Sequence, residues 1–596
     1  METFVQSSVT IALATGFRPP PPAQGPGTRL PSGLPILTVR ISPPSLLGLD
    51  MENAEAQNRE AQNVEGFPYE TLRSPAMGLR GVVATSQPLA ANAGLDILKK
   101  GGNAIDAAVA TAAVLTLVEP NSTSLGGDAF IMIYIAAEDK LVGINASGRA
   151  PYSMTLDALN VKLDKHGMDR ISGIYSVSVP GAVDGWFEVL EEYGTMTMAE
   201  VLEPAIYYAE NGFPVSPIIA GAWRGLEQNQ EPSTRAALLL DGERAPRAGD
   251  VFRNPDLAHS FRLLAEHGRD AFYKGPISEA IVAYSDQHDG FLTMKDFEDH
   301  TSSWVEPIFA DYGDYRLYEL PPNGQGIAAL EMIKILGNVD LGVMGHNSAE
   351  YLHQIIEAKK LAYADIQKWN GDPEFNDLPI QEIISTEYAR RQFERIDPKR
   401  AMERPESGMS GNGDTVLLEV MDKNHNAVSF IYSIYGGFGS GLVAPGTGFP
   451  LQNRAALFSR EPGHVNVVEP HKRPFHTIIP AMAFKDGEFF MTFGAMGGAV
   501  QPQQHVQIFL NVVEFGMNAQ QAVEIPRINH GSGLSVTVEP GIDEAALVQL
   551  EAMGHEINRR TTRGGVGGAQ IIIFDRVTGA MIGGSTPHKD GMAVVY

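Results

Sequence analysis

The alternation of apolar and polar residues predicts that folded structure begins near Gly81. Residues 82–86 are predicted to form a short buried strand, and residues 88–100 a helix closed by two glycines. A second, very apolar helix is predicted at residues 103–118, and a strand at residues 129–135. Because these strands and helices are almost uniformly apolar, we expect sheet layers buried beneath helices.

The middle and the end of the chain differ in pattern. Between about residues 195 and 370, apolar residues recur mainly at helical spacing, and one strand is predicted at residues 315–320. The helical spacing is clearest at residues 202–211, 257–267 and 348–365. After Thr415 the pattern is rich in strands with Gly-rich corners. An abrupt compositional break lies at residues 406–413.

Composition narrows the classes of protein. The 596 residues allow three or four domains, and 43% hydrophobic with 19% charged residues is typical of a globular protein. A formal charge of −26 argues against nucleic acid and anionic membranes as partners. With no cysteine there is no disulfide, thiolate nucleophile or Cys-based metal site. No apolar run is long enough for a membrane span. His476, His505 and His588 lack metal-ligand spacing, so we expect neither metal nor cofactor.

Residues 1–80 differ from the rest of the chain. Residues 3–49 contain Arg18, Arg29 and Arg40 but no acidic residue, which is compatible with a transit peptide. Their proline content equally suits a disordered extension, which we favour. Met51 could be an alternative start. We expect a cytoplasmic protein, with organellar targeting left open.

Thr415 is the most informative candidate for chemistry. It follows the flexible, Gly-rich residues 407–413 and opens a predicted strand, and a second strand at 427–435 enters the Gly-rich turn 436–441. Cleavage before Thr415 would give one residue both a hydroxyl nucleophile and an α-amine with a pKa near ~8 to act as its base. The alternative is an ordinary β-branched strand residue.

Two further features could support acyl transfer. Gly497 and Gly498 follow a predicted strand, and paired glycines let backbone N–H groups approach an oxyanion, although a plain turn would look the same. Arg149 follows a strand-like segment and could clamp a carboxylate, or could be a solvated surface charge. A Ser-His-Asp hydrolase is not indicated, because no Gly-x-Ser-x-Gly elbow occurs.

Taken together, the ordered motifs make the chain from about residue 81 to 596 resemble the γ-glutamyltransferase (glutathione hydrolase) family of N-terminal-nucleophile (Ntn) hydrolases. The motifs that carry the resemblance are Thr415, Asn424-His425-Asn426-Ala427-Val428, Phe438-Gly439-Ser440-Gly441, Gly448-Phe449-Pro450-Leu451-Gln452-Asn453, Gly101-Gly102-Asn103-Ala104-Ile105-Asp106-Ala107-Ala108, Leu125-Gly126-Gly127-Asp128, Ser178-Val179-Pro180-Gly181, Lys472-Arg473-Pro474 and Gly497-Gly498.

The resemblance implies an α+β fold, a four-layer αββα sandwich with an additional mainly helical region in the large subunit. It implies autocleavage between Asp414 and Thr415, which gives a large subunit whose folded part is 81–414 and a small subunit, 415–596. By position, Thr415 would be nucleophile and α-amine base, and Ser433 would hydrogen-bond it. Gly497 and Gly498 would form the oxyanion hole, and Arg149 would bind a substrate carboxylate.

The chain also departs from the glutathione-cleaving pattern. Tyr435 stands where that pattern has Asn, and Leu457 stands where it has the Asp that binds the γ-glutamyl α-amine. Leucine accepts no hydrogen bond, so a γ-glutamyl substrate would lose about 1.5–3 kcal/mol. The pattern is more similar to the branch with oxamate amidohydrolase and certain cephalosporin acylases. The substrate-binding residues implied by position are Arg149, Tyr435, Asn453, Arg454, His476 and Thr477.

These observations predict an autoprocessed amidohydrolase that acts through an acyl-Thr415 intermediate on a small-molecule amide. Its two subunits would come from one precursor. Leu457 and Arg454 together indicate an acyl group that carries a carboxylate, and they leave open whether it lacks an α-amine. A genuine glutathione hydrolase or γ-glutamyl transpeptidase is one alternative, and an inactive binding or scaffold protein is another. The sequence leaves hydrolysis versus transfer and the oligomeric state open.

Overall fold

A computed structural model describes residues 71–403 and 414–596. Most of the predicted N-terminal extension lies outside the described residues, and so does the predicted processing segment at residues 406–413.

The strands are β1 (Ala76–Gly78), β2 (Gly81–Thr85), β3 (Asp128–Ile135), β4 (Lys140–Ala146), β5 (Phe213–Pro214), β6 (Val251–Phe252), β7 (Ser303–Val305), β8 (Ile308–Tyr312), β9 (Tyr315–Glu319), β10 (Asp414–Asp422), β11 (Ala427–Tyr435), β12 (Ala481–Lys485), β13 (Glu488–Ala495), β14 (Ile528–His530), β15 (Ser535–Val538), β16 (Glu556–Arg559), β17 (Ala569–Asp575), β18 (Ala580–Ser585) and β19 (Met592–Val595).

The α-helices are α1 (Pro88–Lys100), α2 (Ala104–Val118), α3 (Leu156–Lys165), α4 (Ala182–Tyr193), α5 (Met198–Asn211), α6 (Pro217–Trp223), α7 (Pro232–Leu238), α8 (Pro255–His267), α9 (Asp270–Tyr273), α10 (Pro276–Gln287), α11 (Met294–Glu298), α12 (Gly326–Leu336), α13 (Ala349–Trp369), α14 (Ile380–Ile383), α15 (Thr386–Phe393), α16 (Gln501–Val513), α17 (Ala519–Glu524) and α18 (Glu544–Ala552). Short 3-10 helices are Gly173–Ser176, Arg224–Gln228, Gly342–Met344, Arg454–Leu457 and Gly498–Val500.

Two seven-stranded sheets form the centre of the fold. Sheet 1 has the order β19-β2-β10-β11-β3-β4-β7, and sheet 2 has the order β1-β18-β17-β13-β12-β9-β8. One apolar cluster joins their facing sides, with Phe130 and Leu417 from sheet 1 and Met482 and Ile572 from sheet 2. This cluster makes the two sheets a sandwich with a largely apolar interior.

Helices cover the outer faces of both sheets. The outer face of sheet 1 packs on α1 and α2, and every residue of α2 is buried. The outer face of sheet 2 packs on α12, α13 and α16. These layers confirm the predicted four-layer αββα sandwich, and they explain why the sequence pattern of the central elements is apolar on all sides.

The predicted elements before residue 136 correspond to β2, α1, α2 and β3. Asn103 caps α2 through the N–H groups of Ile105 and Asp106, which is the chemistry the sequence places there. β1 precedes Gly81 and pairs with β18, so ordered structure starts before the predicted boundary at residue 80.

The predicted helices between residues 195 and 370 are also present, as α5, α8 and α13, and the predicted strand at 315–320 is β9. In the described part of the chain, none of the helices combines the length and apolar character needed to cross a membrane.

Candidate active site

Thr415 lies near the start of β10, between β2 and β11 in sheet 1. The pairing of β10 with β11 shifts register between Asp414 and Val416, so Thr415 lies at a β-bulge, a feature that re-aims a side chain. The Thr415 side chain is buried, and its hydroxyl donates to Ser433 Oγ at 3.2 Å. Ser433 Oγ also accepts from the Tyr435 N–H at 2.9 Å, and this second hydrogen bond holds Ser433 Oγ in position to accept from Thr415.

The Gly497-Gly498 turn follows β13 in sheet 2. Its φ angles are +130° at Gly497 and +64° at Gly498, a region that side chains rarely tolerate. A Cβ on Gly497 would lie 2.8 Å from Val500 Cγ2. The positive φ angle and the close approach to Val500 both require glycine at position 497.

A cavity of about 430 Å³ connects Thr415 to this turn. Its lining includes Thr415, Gly497, a glycine-rich loop at residues 564–568, and the side chains of Arg560 and Lys589. Among the described residues, neither Arg560 nor Lys589 forms an ion pair with a carboxylate. The nucleophile candidate therefore faces a cavity with two unpaired cations, in a protein whose net charge is −26.

Arg454 is fully buried behind Tyr435. Its guanidinium lies 4.9 Å from the centre of the Tyr435 ring and donates from Nη1 to Thr477 Oγ1 at 2.8 Å. Its Nε lies 4.0 Å from Asp128 Oδ2, and within the described residues Nε and Nη2 have no hydrogen-bond partner. Burial lowers the pKa of Arg454 to about 10, so the group stays cationic at neutral pH with two donors unused.

The Asp128 carboxylate organises the same region. Asp128 pairs in register with Ser433, and its Oδ1 accepts from the Gly148 N–H at 2.8 Å and from Gln452 Nε2 at 3.0 Å. Its Oδ2 lies 3.1 Å from His476 Nε2. Burial lowers the pKa of His476 to about 4, so this histidine is neutral and donates to Asp128.

Five of the six predicted substrate-binding residues lie near Asp128, and the sixth, Arg149, lies among other partners. Arg454, Tyr435, Thr477 and His476 gather around Asp128. Asn453 lies beside them, and its Oδ1 accepts from the Gly436 N–H at 2.8 Å and holds the turn after β11. None of these five residues belongs to the lining of the 430 Å³ cavity.

Arg149 is neutralised by protein partners. Its Nη2 lies 2.7 Å from Glu374 Oε1, and its Nη1 lies 3.7 Å from Asp372 Oδ2 and 3.2 Å from the His471 carbonyl oxygen. Arg473 shares the same Glu374 carboxylate at 3.0 Å. Residues near Arg149 in sequence do not indicate these acidic partners, because the partners lie more than two hundred positions away.

Sequence reasoning also missed residues that support the site. Asp128 was part of a recognised motif, but no role followed from the motif alone. Gln325 donates from Nε2 to the carbonyl oxygens of Thr477 at 2.6 Å and Gly498 at 2.9 Å. Its only sequence signal was its place in a Pro- and Gly-rich turn before a helix.

Within the described chain, one group of side chains has the composition of a metal site: His353, Glu357 and His555. Most of their ligand atoms already have hydrogen-bond partners, although His555 Nδ1 has none among the described residues. His353 Nδ1 lies 2.8 Å from His555 Nε2, and Glu357 accepts from Lys360 Nζ at 2.7 Å and from the Met402 N–H at 3.0 Å. The group is a hydrogen-bonded contact between α13 and residues before β16.

The chain is similar along most of its length to known proteins. Residues 90–596 match the family model described as Gamma-glutamyltranspeptidase. The glutathione hydrolase-like YwrD proenzyme of Bacillus subtilis (strain 168) is 37% identical over 535 residues, which cover 88% of this chain and 100% of the relative. The oxamate amidohydrolase proenzyme of Klebsiella pneumoniae is 34% identical, with 88% and 100% covered. The crystal structure of cephalosporin acylase from Bacillus halodurans has a TM-score of 0.83 at 40% identity, with 90% and 99% covered.

Proposed function

Because the chain belongs to the gamma-glutamyltranspeptidase family, we propose that Thr415 is its nucleophile and that the Asp414–Thr415 bond is cleaved on maturation. The predicted class, an Ntn amidohydrolase made as a proenzyme, is confirmed at the level of the family. Two observations carry the residue assignment: the Thr415 hydroxyl is hydrogen-bonded to Ser433 at a β-bulge, and Thr415 lines one cavity together with Gly497.

The chemistry follows from cleavage of that bond. The freed α-amine of Thr415, with a pKa near ~8, takes the hydroxyl proton as the oxygen attacks the amide carbonyl. The N–H groups of Gly497 and Gly498 stabilise the oxyanion. The protonated amine gives its proton to the leaving nitrogen, the C–N bond breaks, and an ester on Thr415 remains. Water then attacks this ester with the same amine as base, which releases the acid and restores the hydroxyl.

The acyl group that fits best carries a carboxylate. Arg454 supports this, since it is a buried cation with two unused donors, and planar guanidinium pairs well with carboxylate. Arg149 is less suited to the role, because Glu374 and Asp372 already balance its charge. Leu457 lies at the end of the short helix that begins at Arg454, and its side chain has no hydrogen-bond acceptor for an α-ammonium group.

The leaving amine would occupy the 430 Å³ cavity. Arg560 and Lys589 give this side a positive potential, so an amine that carries its own acidic group is favoured there. The substrate class is thus a small amide with anionic groups on one or both sides of the scissile bond.

Denaturing electrophoresis and intact mass after exposure to a panel of amides test the assignment. We expect the 64.4 kDa chain to yield a fragment starting at Thr415, and that fragment to gain the mass of an acyl group. Thr415→Ala should abolish both processing and turnover. Thr85→Ala is the matched control, because Thr85 is also buried and donates to the β10 backbone at Leu417.

Other outcomes separate the alternatives. Turnover by Thr415→Ala would refute the nucleophile assignment. An intact, unacylated wild type would favour the inactive scaffold. Release of glutamate from glutathione as fast as hydrolysis of amides without an α-amine would favour a glutathione hydrolase instead.

A further inference from the structure

The Gly497-Gly498 turn is held in place by side chains that come from the other side of the predicted cleavage site. The turn belongs to residues 415–596. Glu319, Gln325 and Tyr363 lie before Asp414. Gln325 and Tyr363 contact the turn directly, and Glu319 contacts it through His505. None of them lines the 430 Å³ cavity.

The start of the turn depends on a buried pair. β12 stops pairing with β13 at Phe493, and beyond that point the Ala495 N–H donates to His505 Nε2 at 3.1 Å. His505 Nδ1 lies 2.7 Å from Glu319 Oε1, so its proton is on Nδ1 and its lone pair on Nε2 faces Ala495. Glu319 therefore fixes the tautomer that anchors the last residue of β13.

The end of the turn is held by two direct contacts. Gln325 Nε2 donates to the Gly498 carbonyl at 2.9 Å and with its second hydrogen to the Thr477 carbonyl at 2.6 Å. The Tyr363 hydroxyl donates to the Ala499 carbonyl. Gln325 and Tyr363 thereby orient the Gly498–Ala499 and Ala499–Val500 peptides. These directly follow the two peptides that carry the Gly497 and Gly498 N–H groups.

We propose that Gln325 and Tyr363 are positioning residues for the oxyanion hole, with Glu319 acting through His505. This inference rests on the proposed function, since it assigns the turn to oxyanion binding. Its physical basis is that an oxyanion hole works only if its donors are fixed before charge develops. Two glycines with positive φ cannot supply that rigidity themselves.

The same contacts link substrate recognition to the hole. Thr477 accepts from Arg454 through its side chain and from Gln325 through its backbone carbonyl. One buried amide thus joins the proposed acyl-carboxylate site to the Gly498 peptide. A second consequence is that residues 415–596 carry the nucleophile, but the oxyanion hole is shaped only when the large subunit is docked.

The decisive experiment compares Tyr363→Phe with Tyr351→Phe in processed protein, using the best amide from the panel. Both tyrosines are buried on α13, and the Tyr351 hydroxyl has no hydrogen-bond partner among the described residues. We expect Tyr363→Phe to lower kcat about 10-fold at unchanged KM, since small misplacement at a reacting centre costs this much or more. Tyr351→Phe should keep kcat.

Gln325→Met provides the stronger perturbation. Its control is Gln507→Met, which also removes a buried amide that donates twice to carbonyls, those of Gln503 and Ile528. We expect Gln325→Met to lower kcat on the order of 100-fold, the size of effect seen when an oxyanion donor is lost. If Gln325→Met does not accumulate, the Tyr363 pair decides, because that change deletes a single oxygen atom.

The results distinguish failure of the positioning role from failure of the nucleophile assignment. If the wild type forms an acyl adduct but Tyr363→Phe and Gln325→Met match their controls in kcat, the positioning role is overturned and the nucleophile assignment stands. A rise in KM at unchanged kcat also overturns the positioning role. So does an equal loss of kcat in the control variants. If the wild type forms no adduct on residues 415–596, it is the proposed function that fails.

Discussion

Substitution of Arg454 by Gln tests how this protein selects its acyl group. The guanidinium has two unused donors, Nε and Nη2. It is fully buried behind Tyr435 and outside the lining of the 430 Å³ cavity, so a substrate carboxylate reaches it only when the side chains that cover it move, and it then meets the donors without competing water. A charge-assisted hydrogen bond of this kind contributes about 1.5–3 kcal/mol. Since 1.4 kcal/mol corresponds to a factor of ten, preference for the carboxylate should fall about 10- to 150-fold.

The assay compares kcat/KM for an amide whose acyl group ends in a carboxylate with that for a methyl-terminated analogue. Because both substrates are tested on the same variant, the ratio of their kcat/KM values is unaffected by a general loss of folded or acylation-competent protein. Asp128 keeps its contacts to Gly148, Gln452 and His476, so the substitution leaves no carboxylate without donors. Thermal unfolding of the variant checks this directly.

Arg149→Gln is the matched control. Because Glu374 and Asp372 already neutralise Arg149, its loss should leave the substrate ratio unchanged. If the ratio is unchanged in Arg454→Gln, or if the preference is lost in Arg149→Gln instead, the reasoning from unpaired donors is refuted.

Two further predictions concern the turn and the buried histidine. Gly497→Ala should lower kcat about 100-fold, because its Cβ would meet Val500 at 2.8 Å and displace the proposed oxyanion donor. Gly579→Ala is the control, also at positive φ but in open space, and it should keep kcat. Equal losses in both variants would indicate backbone strain alone. His476 has a native pKa of about 4 against an unfolded value near 6.5, so the unfolded state binds the extra proton and stability falls as pH drops from about 6.5 to 4. Between these pH values, His476→Gln should reduce the pH dependence of the free energy of unfolding, measured with urea, by about 1.4 kcal/mol per pH unit. An unaltered pH dependence would contradict a neutral, buried His476.

Much of the fold was predictable because its signals are local. The apolar runs of β2, α2 and β3, the cap at Asn103 and the glycines after β13 each depend on a few neighbouring residues. Thr415 was selected as a candidate in the same way, from a Gly-rich approach followed by a strand.

The partners of the charged residues were not predictable from local sequence. Arg149 and Arg454 were both predicted to bind substrate, and nothing near either of them in sequence separated the two. The fold pairs Arg149 with Glu374 and leaves Arg454 with unused donors, 4.0 Å from Asp128. Such contacts join positions hundreds of residues apart, and only the packing of the layers brings them within reach.

The sequence by itself determined the strand that carries Thr415, the glycine turn that faces it and the layers that bury both, because hydrophobic periodicity and glycine conformations are properties of short segments. The tertiary structure alone decided which cation keeps free donors, and which side chains hold the turn. Gln325 and Tyr363 reach Gly498 and Ala499 only after two separate parts of the chain have packed together. Hydrogen bonds depend on distances of a few tenths of an ångström, and those distances are set by the packing of whole layers.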